Sequence, residues 1–188
     1  MKIGILGGTF DPAHLGHIEL ARKAKIQLKL DKIIFIPSYI PPHKDNEEIL
    51  PWKDRYEMAS LACKGSPGFA VSDIEFRLKG TSYTINTIKE FKRMFQDAEI
   101  FFIAGSDYLK ELASWKDIDE LEKICTFVIA RRAGFAMDKP PAHIRILDAD
   151  LPDISSSKIR RCAREGEPFK EFVPKEVYNY IITKELYR

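Results

Sequence analysis

The residues with the greatest chemical potential lie near the start of the chain, in Gly7-Gly8-Thr9-Phe10-Asp11-Pro12-Ala13-His14-Leu15-Gly16-His17. Glycines let a ligand approach the backbone closely. A helix beginning just after such a turn offers unpaired N–H groups and roughly half a positive charge to an anion. His14 and His17 are three residues apart, so in a first helical turn they project from one face toward the same ligand. Gly16 leaves room beside them. Two imidazoles placed this way can donate hydrogen bonds to phosphoryl oxygens as charge builds during in-line displacement, and losing one such donor costs about 3 to 4 kcal/mol of barrier. Such chemistry needs no covalent intermediate.

Two commoner nucleotide motifs do not fit: the segment is not G-x-G-x-x-G, and it lacks the lysine of a phosphate-binding P-loop. Zinc is the sharper rival for a His-x-x-His pair. His43 and His143 fall in separate loops, however, and no Cys or Glu stands at ligand spacing, so no metal ligands are assigned. A lone histidine at a helix start reads as a cap or a solvated side chain; the pair favours a ligand. A second cluster, Ile154-Ser155-Ser156-Ser157-Lys158-Ile159-Arg160, also reads as a helix start. Its serine hydroxyls can cap the helix or bind phosphate, and Arg160 can pair with phosphate oxygens. Alone, this stretch would read as an ordinary capped helix with a solvated arginine.

These clusters need a frame. Residues 2–6 form a short β-branched run closed by Gly7-Gly8, which predicts a buried strand and a glycine turn. Ile18, Ala21, Ala24 and Leu28 recur at spacings of three and four, the stripe of a helix, and Ile33-Ile34-Phe35-Ile36 predicts the next strand. The alternation continues through a helix over 52–64, a strand over 69–74, a helix carrying Ile85, Ile88, Phe91 and Phe95, and strands over 100–103, 126–130 and 144–147. Shorter helical segments are expected near 108–112 and 118–123. Two last helices start at Ser155 and Pro174, the second burying Val177 and Ile181. The pattern predicts a Rossmann-like, doubly wound α/β sheet, mainly parallel, with helices on both faces and its ligand crevice beyond the carboxyl ends of the strands. The connection over 37–51 is long enough to suggest a binding loop, and it carries Pro41-Pro42-His43-Lys44.

A chain of 188 residues with 45% apolar content can bury one good core and is too short for two full-sized domains, so one domain over 1–188 is expected, its last part, about 154–188, helical. Lys plus Arg exceed Asp plus Glu by only 2 (30 against 28), which gives no reason to expect nucleic acid or membrane as a partner. Cys63, Cys125 and Cys162 are odd in number and widely spaced, arguing against a disulfide framework or structural zinc. No apolar stretch approaches the roughly 20 residues needed to cross a bilayer, and no basic leader is visible, so a cytoplasmic location is expected. The sequence leaves homo-oligomer formation open.

The first cluster resembles the signature G-x-[TS]-F-D-P-x-H-x-G-H of the nucleotidylyltransferase superfamily, whose H-x-G-H also occurs in class I aminoacyl-tRNA synthetases. The second resembles that superfamily's I-S-S-[ST]-x-I-R. The resemblance implies a Rossmann-like fold and the joining of a nucleotide α-phosphate to a phosphate acceptor, with release of pyrophosphate and help from magnesium. It makes His14, His17 and Arg160 the catalytic residues. Gly7, Gly8, Thr9, Phe10, Ile154, Ser155 and Ser156 join them in binding ATP. A tRNA partner is not expected, because the chain has no anticodon-binding region and no pronounced basic excess.

Over essentially its whole length the sequence resembles bacterial nicotinate-nucleotide adenylyltransferases, matching at Pro41-Pro42-His43-Lys44, Ser82-Tyr83-Thr84, Gly105-Ser106-Asp107, Trp115 and Arg132 before Gly134. The implied reaction transfers the adenylyl group of ATP to nicotinate mononucleotide, giving nicotinate adenine dinucleotide in NAD biosynthesis. By the same resemblance Trp115 stacks on the pyridine ring, Tyr83 and Thr84 bind the nicotinate carboxylate, and His43 and Lys44 meet the acceptor phosphate. Gly105 and Asp107 contact the adenosine ribose, and Arg132 lies near the adenine or the phosphates. Residue by residue, the alternatives are a core tryptophan, a helix start capped by Thr81 or Ser82, a solvated basic turn, a strand end with a helix cap, and a surface arginine. The chain departs from many relatives at Ser38-Tyr39-Ile40, where they carry an asparagine before the proline pair, and at Lys116, which replaces a tyrosine or asparagine. Lys116 is expected to favour the acceptor carboxylate electrostatically. An adenylyltransferase for another acceptor and a catalytically silent nucleotide-binding module are the competing readings.

Overall fold

The computed structural model describes residues 1–42, 49–105, 112, 114–131 and 143–188. Six strands form one parallel sheet: β1 (Lys2–Gly8), β2 (Lys32–Pro37), β3 (Phe69–Val71), β4 (Glu99–Gly105), β5 (Thr126–Arg131) and β6 (Ile144–Asp148). Their order is β3-β2-β1-β4-β5-β6, and every pair is parallel. The strand order therefore reverses between β1 and β4, and the rule for doubly wound sheets puts the ligand crevice there, outside the carboxyl ends.

Seven helices are seen among the described residues: α1 (Leu15–Gln27), α2 (Trp52–Cys63), α3 (Ile74–Leu78), α4 (Thr84–Met94), α5 (Ile118–Ile124), α6 (Ser156–Glu165) and α7 (Lys175–Thr183). The period of two along the strands divides the core. Leu6, Phe35, Phe101, Ile103 and Val128 pack under α1, α2, α6 and α7, while Ile3, Ile5, Ile34, Phe102 and Phe127 pack under α4 and α5. Truncating a fully buried aromatic such as Phe127 typically costs about 3 to 5 kcal/mol. Gly4 sits mid-strand because a Cβ there would come within 2.5 Å of Ile33 Cδ1 and 2.8 Å of Leu30 Cδ1. The glycine lets those two side chains close over β1.

The sequence reading needs two boundary corrections, the first being that Gly7 and Gly8, expected as a turn, extend β1 in its pairing with β2. The strand expected over 69–74 ends at Val71, and Ile74 opens α3 instead. Ser72 Oγ accepts a hydrogen bond from the Ile74 N–H at 3.3 Å, a local turn that stops the strand. Cys63, Cys125 and Cys162 are free and buried. No helix among the described residues is long and apolar enough to cross a membrane.

Candidate active site

The turn from β1 into α1 puts the first cluster at the carboxyl end of the central strand, beside the strand-order reversal. Phe10 adopts a left-handed backbone conformation (φ 51°) and is wholly buried, its ring 5.0 Å from that of His17. His14 is the N-cap residue of α1 and only 6% exposed; His17 is half-buried. Their rings lie 3.7 Å apart at 31°, close to a stack. The His14 backbone N–H donates to His17 Nδ1 at 3.2 Å. In the neutral ring this puts the proton on Nε2, leaving Nε2–H as a fixed donor. A Cβ on residue 16 would lie 3.0 Å from His14 Nδ1, so glycine there gives the imidazole its space.

The second cluster is bound directly to the first. Ser155 caps α6 by accepting from the Lys158 N–H at 3.2 Å, while Ser156 Oγ donates to the Pro12 carbonyl at 3.0 Å. Arg160 Nη1 donates to the Asp11 carbonyl at 2.9 Å. Ile154 belongs to the same contact, since its carbonyl would lie 3.8 Å from a Cβ on residue 16. The starts of α1 and α6 are thus neighbours, and two helix N-termini close together favour a polyanion.

Beneath this contact lies a buried polar network that the sequence reading did not single out. Asp11 is 2% exposed, and its Oδ1 accepts from the Tyr187 hydroxyl at 2.7 Å. Burial first, then Asp11, push the Tyr187 phenol above its ordinary pKa, so it remains a proton donor. Arg55 is also 2% exposed. It donates to the carbonyls of Leu50 (2.9 Å), Thr9 (2.8 Å) and Tyr39 (3.3 Å), joining the first cluster to both ends of the 37–51 connection. Burial lowers its pKa, opposed by the charge of Asp11. The signal was present in α2: Arg55 shares the face of Met58, Ala59 and Ala62, a charge in an apolar stripe.

A cavity of about 560 Å³ opens beside Gly7, Gly8 and Thr9 and extends past Pro41 and Pro42 to Tyr83, Thr84, Trp115 and Lys116. Trp115 is half-buried, packed edge-to-face on Phe102 (5.5 Å) and Phe127 (6.1 Å) while it lines the cavity. Lys116 Nζ lies 4.7 Å over the Tyr83 ring. Helix α4 begins at Thr84 with Tyr83 as N-cap and no side-chain cap. Neither Thr81 nor Ser82, the caps of the alternative reading, caps it. Ser82 Oγ is engaged elsewhere, accepting from the backbone N–H groups of Tyr39 (2.8 Å) and Ile40 (3.3 Å). An 11-residue helix with no side-chain cap thus starts at the cavity wall. Glu75 also lines the cavity; its carboxyl is buried and raised in pKa, chiefly by that burial.

Of the residues singled out in sequence, Gly7, Gly8, Thr9, Tyr83, Thr84, Trp115 and Lys116 share this one cavity. His14, His17, Ile154, Ser155, Ser156 and Arg160 gather in the adjoining contact between α1 and α6, and Gly105 ends β4. His43, Lys44, Asp107 and Arg132 lie outside the described residues, as does most of the helical segment expected over 108–112. Among the described residues no group of three His, Cys, Asp or Glu is arranged to hold a metal ion.

Residues 5–162 match the model of the cytidylyltransferase-like family. A protein of Clostridium tetani (strain Massachusetts / E88), named a probable nicotinate-nucleotide adenylyltransferase, is 42% identical over 100% of this chain and 99% of its own. One of the same name from Geobacillus thermodenitrificans (strain NG80-2) is 42% identical over 99% of this chain and 86% of its own. Among solved structures, the Plasmodium falciparum nicotinic acid mononucleotide adenylyltransferase complexed with NaAD superposes with a TM-score of 0.82, covering 99% of this chain and 97% of its own at 20% identity. That last likeness establishes the fold, and the sequence relatives establish the kinship. The chain belongs to the cytidylyltransferase-like family and, within it, to the nicotinate-nucleotide adenylyltransferases.

Proposed function

We propose that this enzyme transfers the adenylyl group of ATP to the phosphate of nicotinate mononucleotide, giving nicotinate adenine dinucleotide and pyrophosphate. The observation that carries the reading is the shared cavity: the uncapped start of α4, a half-buried tryptophan and Gly7, Gly8 and Thr9 at the carboxyl end of β1 line one space. A helix N-terminus without a side-chain cap suits the pyridine carboxylate, and a tryptophan face suits a flat, electron-poor ring. The acceptor therefore occupies the cavity, its ring against Trp115 and its carboxylate at Tyr83 and Thr84. Lys116 adds positive charge beside them. His43 and Lys44 meet the acceptor phosphate.

ATP lies across the turn toward the starts of α1 and α6. Gly7, Gly8, Thr9 and Phe10 pass beneath its phosphates, with Ile154, Ser155 and Ser156 on the opposite side and Gly105, Asp107 and Arg132 toward the nucleoside. The acceptor phosphate oxygen attacks the α-phosphorus in line, and the pyrophosphate leaves on the far side held by Arg160. His17 Nε2–H and His14 stabilise the charge that builds on the α-phosphoryl oxygens. The acceptor phosphate is already ionised near neutral pH, so no general base is required. Positioning two bound reactants in this way removes about 7 to 11 kcal/mol of barrier. Magnesium accompanying ATP would be held mainly by the ATP phosphates and would neutralise part of the charge on the leaving pyrophosphate.

The test is pyrophosphate release with ATP and each of three acceptors: nicotinate mononucleotide, nicotinamide mononucleotide and phosphopantetheine. The highest kcat/KM is expected with the nicotinate acceptor. A faster reaction with either of the others overturns the acceptor assignment, and binding of magnesium-ATP without any turnover makes the chain a silent nucleotide-binding module.

A further inference from the structure

Glu75 is a charged residue placed indoors, the second residue of the five-residue helix α3 and only 9% exposed. Its Oε1 accepts a hydrogen bond from Thr87 Oγ1 at 2.9 Å, near the start of α4. Two further groups face the carboxyl, the Ser82 hydroxyl and the Tyr39 backbone N–H, and Arg55 adds its charge. Because Ser82 Oγ already accepts from the Tyr39 and Ile40 N–H groups, its own proton is the one left to donate, and the Glu75 carboxyl stands beside it. The same strap is reinforced by backbone: the Ser82 N–H donates to the Ile40 carbonyl at 2.9 Å, and Ile40 bridges Thr81 in parallel.

One buried carboxyl thus bonds Thr87 in the first turns of α4 and lies beside Ser82, so it stands at both ends of the stretch that brings Tyr83 and Thr84 to the cavity wall. Among the described residues its other oxygen, Oε2, has no hydrogen-bond partner. Burying a carboxyl on these terms is costly, and an apolar side chain of similar size would serve folding at least as well.

We propose that Glu75 is a positioning residue for the acceptor half of the site: acting through its hydrogen bond with Thr87, it holds the backbone of residues 82–84 where the acceptor carboxylate binds. The inference rests on the acceptor assignment above. It assigns Glu75 no contact with either substrate. The carboxyl acts on affinity for the acceptor and leaves the ATP side alone, because the groups it engages belong to α4 and the 39–40 strap.

The experiment compares wild type with Glu75→Ala, Glu75→Gln and Thr87→Val, using two readouts. The first is amide hydrogen exchange in the ligand-free protein, which does not depend on the reaction; faster exchange is expected at residues 82–87 and 39–40 in Glu75→Ala, with the cores of β1 and β4 unchanged. The second is steady-state kinetics with each substrate varied in turn. Glu75→Ala should raise the KM for nicotinate mononucleotide about tenfold, the upper end of what one lost buried hydrogen bond gives, with the KM for ATP within about twofold. Glu75→Gln keeps a carbonyl acceptor for Thr87 and should restore most of that loss. Thr87→Val, a near-isosteric change, should raise the same KM by a smaller factor, and it settles the matter if Glu75→Ala does not fold.

Unchanged exchange at residues 82–87, or equal rises in both KM values, overturns the positioning role. So does a lowered thermal midpoint with both KM values intact, which would confine Glu75 to folding. If wild type itself shows no turnover with nicotinate mononucleotide, the acceptor assignment falls, while the exchange data still decide whether Glu75 holds the segment.

Discussion

Arg55→Met is the substitution whose outcome the structure specifies most closely. The guanidinium is 2% exposed and serves three carbonyls, those of Leu50, Thr9 and Tyr39. Methionine fills a similar volume and offers no donor. Each orphaned buried carbonyl costs about 1 to 3 kcal/mol, or roughly 3 to 9 kcal/mol for three. The desolvation of the guanidinium, several kcal/mol, is relieved by the change and offsets part of this sum. Asp11, 2% exposed and close enough for its charge to act on Arg55, also loses its compensating charge. A net loss of about 3 to 5 kcal/mol follows, in the range seen when one partner of a buried charged pair is removed. For a chain of this size that lowers the thermal midpoint by about 6 to 20 °C. Thermal and urea unfolding followed by circular dichroism give both numbers. Arg55→Lys keeps the charge and loses the planar fork, so it should recover about half of the deficit. If Arg55→Met lies within about 1 kcal/mol of wild type, the carbonyls find other donors at little cost, and Arg55 does not tie the first cluster to the 37–51 connection.

Other outcomes follow from the same geometry. His17→Ala should slow turnover at least about a hundredfold with little change in unfolding midpoint, and near-normal activity would remove the imidazole from the transition state. Lys116→Gln should lower the ratio of nicotinate to nicotinamide nucleotide turnover in the pyrophosphate assay; an unchanged ratio means that the cation beside Tyr83 does not select the acid. Burial lifts the Glu75 carboxyl above its ordinary value of 4.5, so the folded state holds this proton more tightly than the unfolded chain does. Its contribution to stability is complete below that ordinary value and is lost as pH rises through the folded one. Relative to wild type, Glu75→Gln should therefore gain stability as pH is raised from about 4.5 toward neutrality, and a urea-midpoint difference that is flat with pH would contradict this sign. Burial also pushes the Cys63 and Cys125 thiols up to about 12, so both should react with a thiol-directed reagent far more slowly in the native protein than in urea.

The alternation of apolar runs and the two serine- and histidine-bearing helix starts are local features, and they were legible because local backbone preference and side-chain period dictate them. That reading reached the strand-helix alternation, the α/β class and the placement of His14, His17 and Arg160 at helix starts. It erred at residues 72–74, where a side-chain hydrogen bond from the Ile74 N–H to Ser72 Oγ ends β3 early, and at Gly7-Gly8, which extend β1; Ser82, one of the alternative caps for α4, does not cap it. Ser82 is captured instead by the Tyr39 N–H, a partner 43 residues away that no window of local sequence contains.

What the fold alone decided is which distant groups share a buried space. Arg55 stands out only as a charge in the apolar stripe of α2, and which carbonyls it serves depends on segments remote from that helix. The Tyr187 hydroxyl reaches Asp11 across 176 residues of chain, and Arg160 reaches the same residue's carbonyl across 149. Sequence by itself determined the elements and the chemical character of each turn, since both follow from neighbours along the chain. Only the tertiary structure determined the network beneath the turns, since hydrogen bonds between remote segments depend on how the sheet is ordered.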